Sequence, residues 1–326
     1  MKKLVKGICL MGVVALLATS CNKKDETTAK TYRGGSYDER FEQENANGFE
    51  ERAYIDNVYR MTFEEGDQVM LFNVDDETPA NSEAALYVTT AGYEPVFEPY
   101  QADNTISDEM MSAKYAYYPG IHVQTEALEN ENRSVFKLLP QQEYREVNGA
   151  PVVAKEALYM AAKLDNPASD YFAFRNICGV LVMKFYSPAG KTIESIKITD
   201  NAVTLTGDVT LKVNEVDPAQ MMELFRNYDP SNAEYVAALN EYKNQVGYAV
   251  DQSGNELTLV CNDGVQLGTT ATEANTFYFV LRPLALMNGF DMVITFNDTT
   301  TKTISTVRNN MIKPNTLRVF PALNVD

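Results

Sequence analysis

The chain has 326 residues, of which 45% are hydrophobic and 22% are charged. These are ordinary values for globular proteins, so we expect the chain to fold. Its formal net charge of −17 repels phosphate backbones, and nucleic acid is therefore excluded as an expected partner. One histidine and no tryptophan remove most catalytic triads, most histidine-ligated metal sites and the stacking platforms of many sugar-binding modules.

The first twenty residues have the organisation of a secretory signal. Three lysines precede an apolar stretch over 8–18, which is too short to span a bilayer, and small residues at 18–20 precede Cys21. A cysteine directly after such a site resembles the bacterial lipobox, in which the thiol carries the lipid anchor. We expect residues 1–20 to be removed and Cys21 to be lipidated. An ordinary secretory cleavage with an incidental cysteine is the alternative.

A polar segment follows the cysteine. Residues 21–52 are rich in Lys, Asp, Glu, Thr, Asn and Gly and contain few aliphatic residues. Such a composition buries too little apolar area to stay ordered alone, so we predict a disordered tether. Its charged start over 23–26 resembles the export tags that send lipoproteins of Bacteroides-type bacteria to the outer face of the outer membrane.

From residue 54 onward, short runs of alternating apolar and polar residues are separated by Gly, Pro, Asn and Asp clusters, a pattern typical of β-strands. The first half has predicted strands at 54–63, 68–74, 85–90, 95–100, 113–118, 134–139 and 157–164. The second half has them at 172–186, 192–199, 203–213, 256–261, 276–282, 290–296, 301–307 and 316–320. We predict an all-β protein with two tandem antiparallel β-sandwich domains, over 53–167 and 168–326. The strongest strand, 177–185, can close the first domain or open the second.

One stretch of the second domain departs from the β pattern. A cap followed by proline at 217–220 and a capping box at 231–234 predict two short helices within 217–246. In the second helix, apolar residues at helical spacing predict an amphipathic helix packed on a sheet rather than one that binds a partner. These residues are Tyr235, Leu239, Tyr242 and Val246.

The sequence contains none of the catalytic or phosphate-binding motifs sought in it: no Gly-rich phosphate loop, no His-Glu-x-x-His and no Gly-x-Ser-x-Gly. Cys178 and Cys261 lie in apolar runs and lack the paired spacing of zinc ligands; a disulfide between them stays open. We interpret His122 as structural and the acidic clusters at 64–67 and 75–77 as solvated turns. We therefore expect no catalytic residues, no metal site and no cofactor.

Four segments, in this order, resemble the fimbrillin-like family, the lipoprotein pilins of Bacteroides-type bacteria. They lie at 63–72, 116–119, 138–142 and 174–185, with weaker similarity at 312–321. One departure is Asn176, where relatives often have histidine. The resemblance implies two transthyretin-like β-sandwich domains, secretion as a lipoprotein and polymerisation by strand exchange.

The resemblance also implies that a trypsin-like protease cuts after an arginine near the N-terminus and removes the lipidated segment with its first strand. The candidates are Arg33, Arg40, Arg52 and Arg60. Arg52 is the first choice because it lies at the edge of the polar segment, where backbone is accessible to a protease. Arg60 lies inside a predicted strand.

The C-terminal strand is the candidate donor for strand exchange. Leu317 and Val319 share one face, whereas Arg318 and Phe320 share the other, so the segment can pair in its own domain or in a neighbour. The alternative is that it closes the second sandwich. Pro321 predicts a position at the edge of a sheet.

These features predict a non-enzymatic structural or adhesive subunit of a cell-surface fimbria. Its expected partners are other pilin subunits, the outer membrane through the lipid anchor, and a host or bacterial surface ligand. Two alternatives stay open: a non-polymerising surface lipoprotein that binds glycan, and a hydrolase that uses paired carboxylates.

Overall fold

The structure of the protein is a computed structural model. It describes residues 31–36, 42–45, 63–73, 83–92, 94–100, 113–120, 124–128, 131–147, 149–153, 159–164, 166, 168–200, 203–212, 220, 224, 229, 231–245, 249–250, 254–286, 289–314 and 316–326.

Strands account for most of the described residues, which confirms the predicted all-β class. The first-half strands are β1 (Tyr32–Ser36), β2 (Glu42–Asn45), β3 (Gln68–Asn73), β4 (Glu83–Thr89), β5 (Val96–Pro99), β6 (Tyr115–Tyr118), β7 (Gln124–Leu128), β8 (Glu131–Leu138), β9 (Gln141–Glu143), β10 (Arg145–Val147), β11 (Ala150–Val152), β12 (Met160–Lys163) and β13 (Tyr171–Asn176). The second-half elements are β14 (Gly179–Tyr186), β15 (Thr192–Thr199), β16 (Gly207–Lys212), helix α1 (Ala233–Gln245), β17 (Ala249–Val250), β18 (Glu256–Gln266), a 3-10 turn (Ala271–Glu273), β19 (Asn275–Leu281), β20 (Leu284–Leu286), β21 (Asp291–Phe296), β22 (Thr301–Ser305), β23 (Asn310–Ile312) and β24 (Thr316–Asn324).

Seven strands between residues 32 and 176 form a closed barrel. Their order around the barrel is β1, β13, β12, β6, β3, β4 and β5. Alternate side chains point inward, as the pleat of a strand requires. The interior is rich in aromatic rings, which include Tyr32, Phe63, Tyr87, Phe97, Tyr118, Phe172 and Phe174.

A four-stranded sheet in the order β19, β14, β24 and β2 lies at the centre of the structure. One of its faces, with Leu181 and Phe279, packs against the five-stranded sheet β22, β21, β15, β18 and β9. The other face, with Val180 and Leu317, packs against side chains on the outside of the barrel, such as Tyr117. Strand β14 is therefore apolar on both faces, which explains its strong signal in the sequence.

The sheets cross the predicted domain boundary between residues 167 and 168. Strand β8 pairs with β16, and β9 pairs with β18 of the second half. The buried side-chain amide of Gln142 in β9 also substitutes for a peptide group, since its nitrogen donates to the Val280 carbonyl at 2.8 Å and its oxygen accepts from the Val280 N–H at 3.0 Å. These pairings join residues far apart in sequence, so local patterns do not reveal them.

Helix α1 confirms the predicted helical stretch but begins differently at its cap. Ser231 is engaged by Asp229, to which its hydroxyl donates at 2.7 Å, and Asn232 accepts from the Glu234 N–H at 3.0 Å instead. Asn232 is therefore the capping residue. Leu239 is buried in the core as predicted, as is Tyr242.

Other predicted helical features fall differently. Tyr235 is 42% exposed, because the helix reaches the core only from its second turn, so the prediction that Tyr235 packs on the sheet is wrong. Gln220 and Leu224 have helical backbone, whereas Val246 lies outside the described residues. Of the strand predicted at 54–63, only Phe63 is described, and it bridges Gly92. Among the described residues, no helix combines the length and apolar character that a membrane crossing requires.

The doubly buried position of β14 predicts a large stability loss on truncation of Leu181. Replacing this fully buried side chain by alanine removes apolar contacts and leaves a cavity, so we expect Leu181→Ala to lower the free energy of unfolding by about 2–5 kcal/mol. Val307→Ala is the control, because Val307 is 83% exposed and its change is expected within about 0.5 kcal/mol. Urea unfolding followed by circular dichroism measures both, and equal effects would contradict the central role of β14.

Candidate strand-exchange site

Strand β1 closes the barrel. It lies between β13, to which it is parallel, and β5, to which it is antiparallel. The Arg33 N–H donates to the Asp170 carbonyl at 2.7 Å on one side, and the Gly34 N–H donates to the Pro95 carbonyl at 3.1 Å on the other. If β1 were withdrawn, both neighbouring strands would become open edges with unpaired backbone groups.

Tyr32 anchors β1 inside the barrel. Its ring is fully buried, 5.9 Å from the centre of the Tyr87 ring and 5.4 Å from that of Phe172. Its hydroxyl oxygen accepts from the buried N–H of Ala113 at 2.9 Å. Burial raises the pKa of Tyr32, and this hydrogen bond offsets only part of the rise. The side chain therefore supplies apolar packing and satisfies a buried donor at the same time.

Gly34 lies where the barrel has no room for a side chain. A β-carbon at this position would lie 2.5 Å from Cζ of Phe97 and 3.0 Å from the carbonyl oxygen of Phe172. Both distances are shorter than van der Waals contact, so only glycine fits without displacing the Phe97 ring. Tyr32 and Gly34, two positions apart, therefore both face the barrel interior, one with a large ring and the other without a side chain.

Arg33 points outward between these two residues. Its guanidinium pairs with the Asp170 carboxylate at 3.0 Å, and the two side chains are 58% and 45% exposed. Water screens such a pair, so it contributes little to the free energy of folding. A protease must bind the chain in an extended, unpaired form, whereas β1 is bonded on both sides. The prediction that Arg33 is a processing site is therefore not supported by its position.

The prediction of a disordered tether over 21–52 is wrong for Tyr32–Ser36 and for Glu42–Asn45, which are strands. The average composition of the segment does not predict β1, because one buried tyrosine and two glycines are enough for a polar segment to pair as a strand between β13 and β5. The alternation of Tyr32, Arg33 and Gly34 is a weak strand signal that could have located it.

The second N-terminal strand covers another edge. Strand β2 pairs in parallel with β24, and Gln43 lies opposite Leu317 in the register. On its other side β24 pairs in parallel with β14. Strand β2 is the outer strand of the central sheet, so its withdrawal would turn β24 into the edge.

The predicted donor residues lie in the core of their own sheet. Leu317 and Val319 are buried between the central sheet and the barrel, and Phe320 packs on the other face with its ring 5.9 Å from that of Phe290. The predicted division of faces is therefore correct. The prediction from Pro321 that β24 is an edge strand is wrong for the start of β24, which is paired on both sides. Pro321 itself lies beyond the residues that pair with β2, at the point where the register with β14 shifts.

The end of β24 is fixed by polar contacts. The carboxylate of Asp326 accepts from the Ser187 hydroxyl and from the Ala189 N–H, and the Lys302 ammonium donates to the Asp326 backbone carbonyl at 2.6 Å. The bond from Ser187 is the main reason that the pKa of Asp326 is lowered. These contacts favour the alternative that β24 closes its own sandwich.

Two other residues singled out in the sequence, both cysteines, form no site within the described part of the chain. Cys178 and Cys261 are free, belong to different core clusters, and have pKa values that burial raises to about 12. Within the described part of the chain, no three His, Cys, Asp or Glu side chains are grouped so as to hold a metal ion. The other predicted site residues lie outside the described residues: Cys21, Arg40, Arg52, Arg60 and His122.

No protein-family model and no curated protein matches the chain. Among solved structures, it is similar to a protein from Bacteroides uniformis described as a "putative cell adhesion protein", with 12% identity, a TM-score of 0.47, and coverage of 81% of this chain and 88% of that one. A protein from Bacteroides ovatus with the same description has 13% identity, a TM-score of 0.44, and coverage of 91% and 92%.

A fimbrial protein from Bacteroides ovatus is also similar, with 12% identity and a TM-score of 0.35. The alignment covers 82% of this chain and 46% of the fimbrial protein. The sequence identities and TM-scores are low, so the function proposed below rests on the geometry of this chain.

The packing around β1 predicts that its two interior positions control barrel stability. We expect Tyr32→Ala to lower the free energy of unfolding by about 3–5 kcal/mol, because it empties an aromatic pocket. Gly34→Val should cost about 1–3 kcal/mol, because the new side chain meets Phe97. Arg33→Ala is the matched control and should leave stability close to that of the wild type. Urea unfolding measures all three; a larger effect at Arg33 than at Gly34 would contradict the seating of β1.

Proposed function

We propose that the protein is a structural or adhesive, non-enzymatic subunit of a cell-surface fimbria, exported as a lipoprotein and assembled by protease-triggered strand exchange. One observation carries the proposal: a single N-terminal segment supplies β1 to the barrel and β2 to the central sheet. Both strands precede Arg52 and Arg60 in the chain. One cut after either arginine separates both strands from the rest of the protein.

Loss of this segment would create the conditions for assembly. Open strand edges carry unpaired N–H and C=O groups, and the vacated interior of the barrel would expose aromatic rings to water. An extended strand from a neighbouring subunit satisfies both needs, since its backbone completes the sheets and its side chains fill the pocket. Such contacts are directional, which suits a filament.

The position of each candidate arginine determines what a cut would release. Arg52 and Arg60 follow both strands, whereas Arg40 lies between β1 and β2, so cleavage there would free β1 alone. Arg52 stays the first choice. A donor role for Leu317, Val319 and Phe320 also stays a prediction, and it requires these side chains to leave the core of their own domain.

The lipid and the closing strands belong to the same segment. Ten residues separate Cys21 from Tyr32, and the eleven steps from one to the other span at most about 40 Å when the chain is fully extended. A lipid on Cys21 would therefore hold the barrel close to the outer membrane for as long as β1 stays seated. Cleavage would break the covalent link between the lipid and the subunit, and departure of the cut segment would then release the subunit from the membrane and open both sheet edges.

The lipoprotein part of the proposal predicts that Cys21→Ser releases the protein from membranes. The thioether-linked lipid is the proposed source of membrane affinity, and serine cannot carry it. Fractionation of cells that express the full chain, with Cys178→Ser as the matched control, measures the effect. A Cys21→Ser protein that stays in the membrane fraction would show that the lipid anchor is not needed.

The assembly part of the proposal predicts that limited proteolysis converts monomer into oligomer. Trypsin treatment of the full chain should yield larger species in size-exclusion chromatography and filaments in negative-stain microscopy. Arg40→Gln, Arg52→Gln and Arg60→Gln combined should block the conversion, whereas Arg33→Gln should not, because Arg33 is held in a paired strand. A cleaved protein that stays monomeric at high concentration would refute self-assembly and favour a non-polymerising surface protein.

A further inference from the structure

We infer that the groove between β13 and β5 that β1 occupies, here called the seat, is selective. It takes an extended strand that runs parallel to β13 and carries a tyrosine two residues before a glycine. The inference deepens the proposed function, because it states which strands can enter the seat after cleavage. It rests on three features of the seat: an aromatic pocket with a buried donor, a position with no room for a β-carbon, and backbone acceptors on both sides.

The aromatic pocket requires tyrosine rather than another large residue. Tyr87 and Phe172 flank the ring, so a small side chain would leave a cavity. The N–H of Ala113 is buried and donates to the Tyr32 hydroxyl. Phenylalanine would fill the space but leave this donor without its acceptor, and an unsatisfied buried donor is costly.

The next inward-facing position, that of Gly34, requires glycine because the residues around it are too tightly packed to move. The Phe97 ring that blocks a β-carbon is itself fully buried. It packs 6.1 Å from the ring of Phe63 and 5.9 Å from that of Phe174, measured between centres. The carbonyl oxygen of Phe172 blocks the same position from the backbone side. A larger residue at this register would have to displace several packed rings.

The backbone of the seat sets the direction of the strand and one further condition. The N–H groups at positions 33 and 34 donate to opposite neighbours, the carbonyls of Asp170 and Pro95. A proline at either position would lose one of these bonds. The side chain at position 33 faces outward, so the residue between tyrosine and glycine is otherwise unrestricted.

Within this chain, only β1 meets these conditions in a segment that can serve as an incoming strand. Of the 17 glycines, only Gly34 and Gly120 follow an aromatic residue by two positions, and Tyr118 before Gly120 is part of the barrel wall. Strand β24 contains no glycine. With Phe320 in the tyrosine pocket, Pro321 would take the position that needs an N–H.

The occupant to which the inference points is therefore a strand of a different subunit that carries tyrosine, any residue except proline, and glycine. Strand β24 of a second copy is a poor match, because it lacks the hydroxyl, the N–H and the glycine. The seat would then connect this subunit to another kind of subunit, whereas self-assembly of this chain would use the edge of β24 that loss of β2 exposes.

Peptide exchange into the nicked full chain tests the inference. A recognition sequence for a specific protease is introduced between residues 46 and 60, and cleavage leaves β1 in its seat without a covalent link. A fluorescent peptide of residues 28–38 is added, and its incorporation is followed by anisotropy. Nicked protein that also carries Gly34→Val has a poorly fitting strand of its own and should take up the wild-type peptide faster than nicked wild-type protein.

The binding of a series of variant peptides then measures the selectivity of the seat. Relative to the wild-type peptide, we expect Tyr32→Phe to weaken binding about tenfold, as loss of one buried hydrogen bond implies. Tyr32→Ala and Gly34→Val should weaken it at least about a hundredfold. Arg33→Ala is the matched control and should bind like the wild type, whereas Arg33→Pro should bind poorly. A peptide of residues 314–324 represents β24 and should not enter.

The outcomes separate the inference from the function on which it rests. Uptake of the wild-type peptide with the expected ranking supports both. Equal uptake of the Gly34→Val and wild-type peptides, or uptake of the β24 peptide, overturns the selectivity while strand exchange stands. No uptake of any peptide by either nicked protein, with circular dichroism showing that both remain folded, overturns exchange at this seat and the inference together.

Discussion

Closure of the barrel by β1 is the constraint on which the proposed function of the protein depends. A ring of strands has no free edge only while every neighbour is present, and here one strand of five residues completes it. The segment is polar except where it enters the barrel, so it is held by one aromatic ring, one close-fitting glycine and backbone bonds to two strands. Few side chains therefore decide whether the barrel is open or closed.

The same segment links the barrel to the central sheet. Strand β2 follows β1 after only five residues and covers β24, which pairs on its other side with β14. Strand β14 has one face against the five-stranded sheet and the other against the barrel, so the two parts of the protein share its buried layer. Removal of the segment would leave this layer in place while it opens two edges, which is what an assembly step without global unfolding needs.

Local sequence patterns predicted those elements whose own residues determine their environment. Strand β14 is apolar on both faces, β24 divides its faces as predicted, and α1 lies where the capping signals indicated. The pairing of β9 with β18 and the seating of β1 depend on residues distant in the chain. Tyr32 is held by its contacts with Ala113 and Phe172, which are distant in the sequence, so the residues near Tyr32 do not predict this pocket.

Covalent attachment gives β1 an advantage over any competing strand in keeping the barrel closed. A strand on the same chain competes at an effective concentration set by the length of its linker, commonly in the millimolar range for short linkers. An intermolecular strand at cellular concentration cannot match this while the link is intact. In the proposed assembly, cleavage would remove this advantage without changing any contact, so occupancy of the seat would then depend on the fit and the concentration of the competing strands. The tyrosine pocket and the Gly34 position therefore become decisive only after the chain is cut.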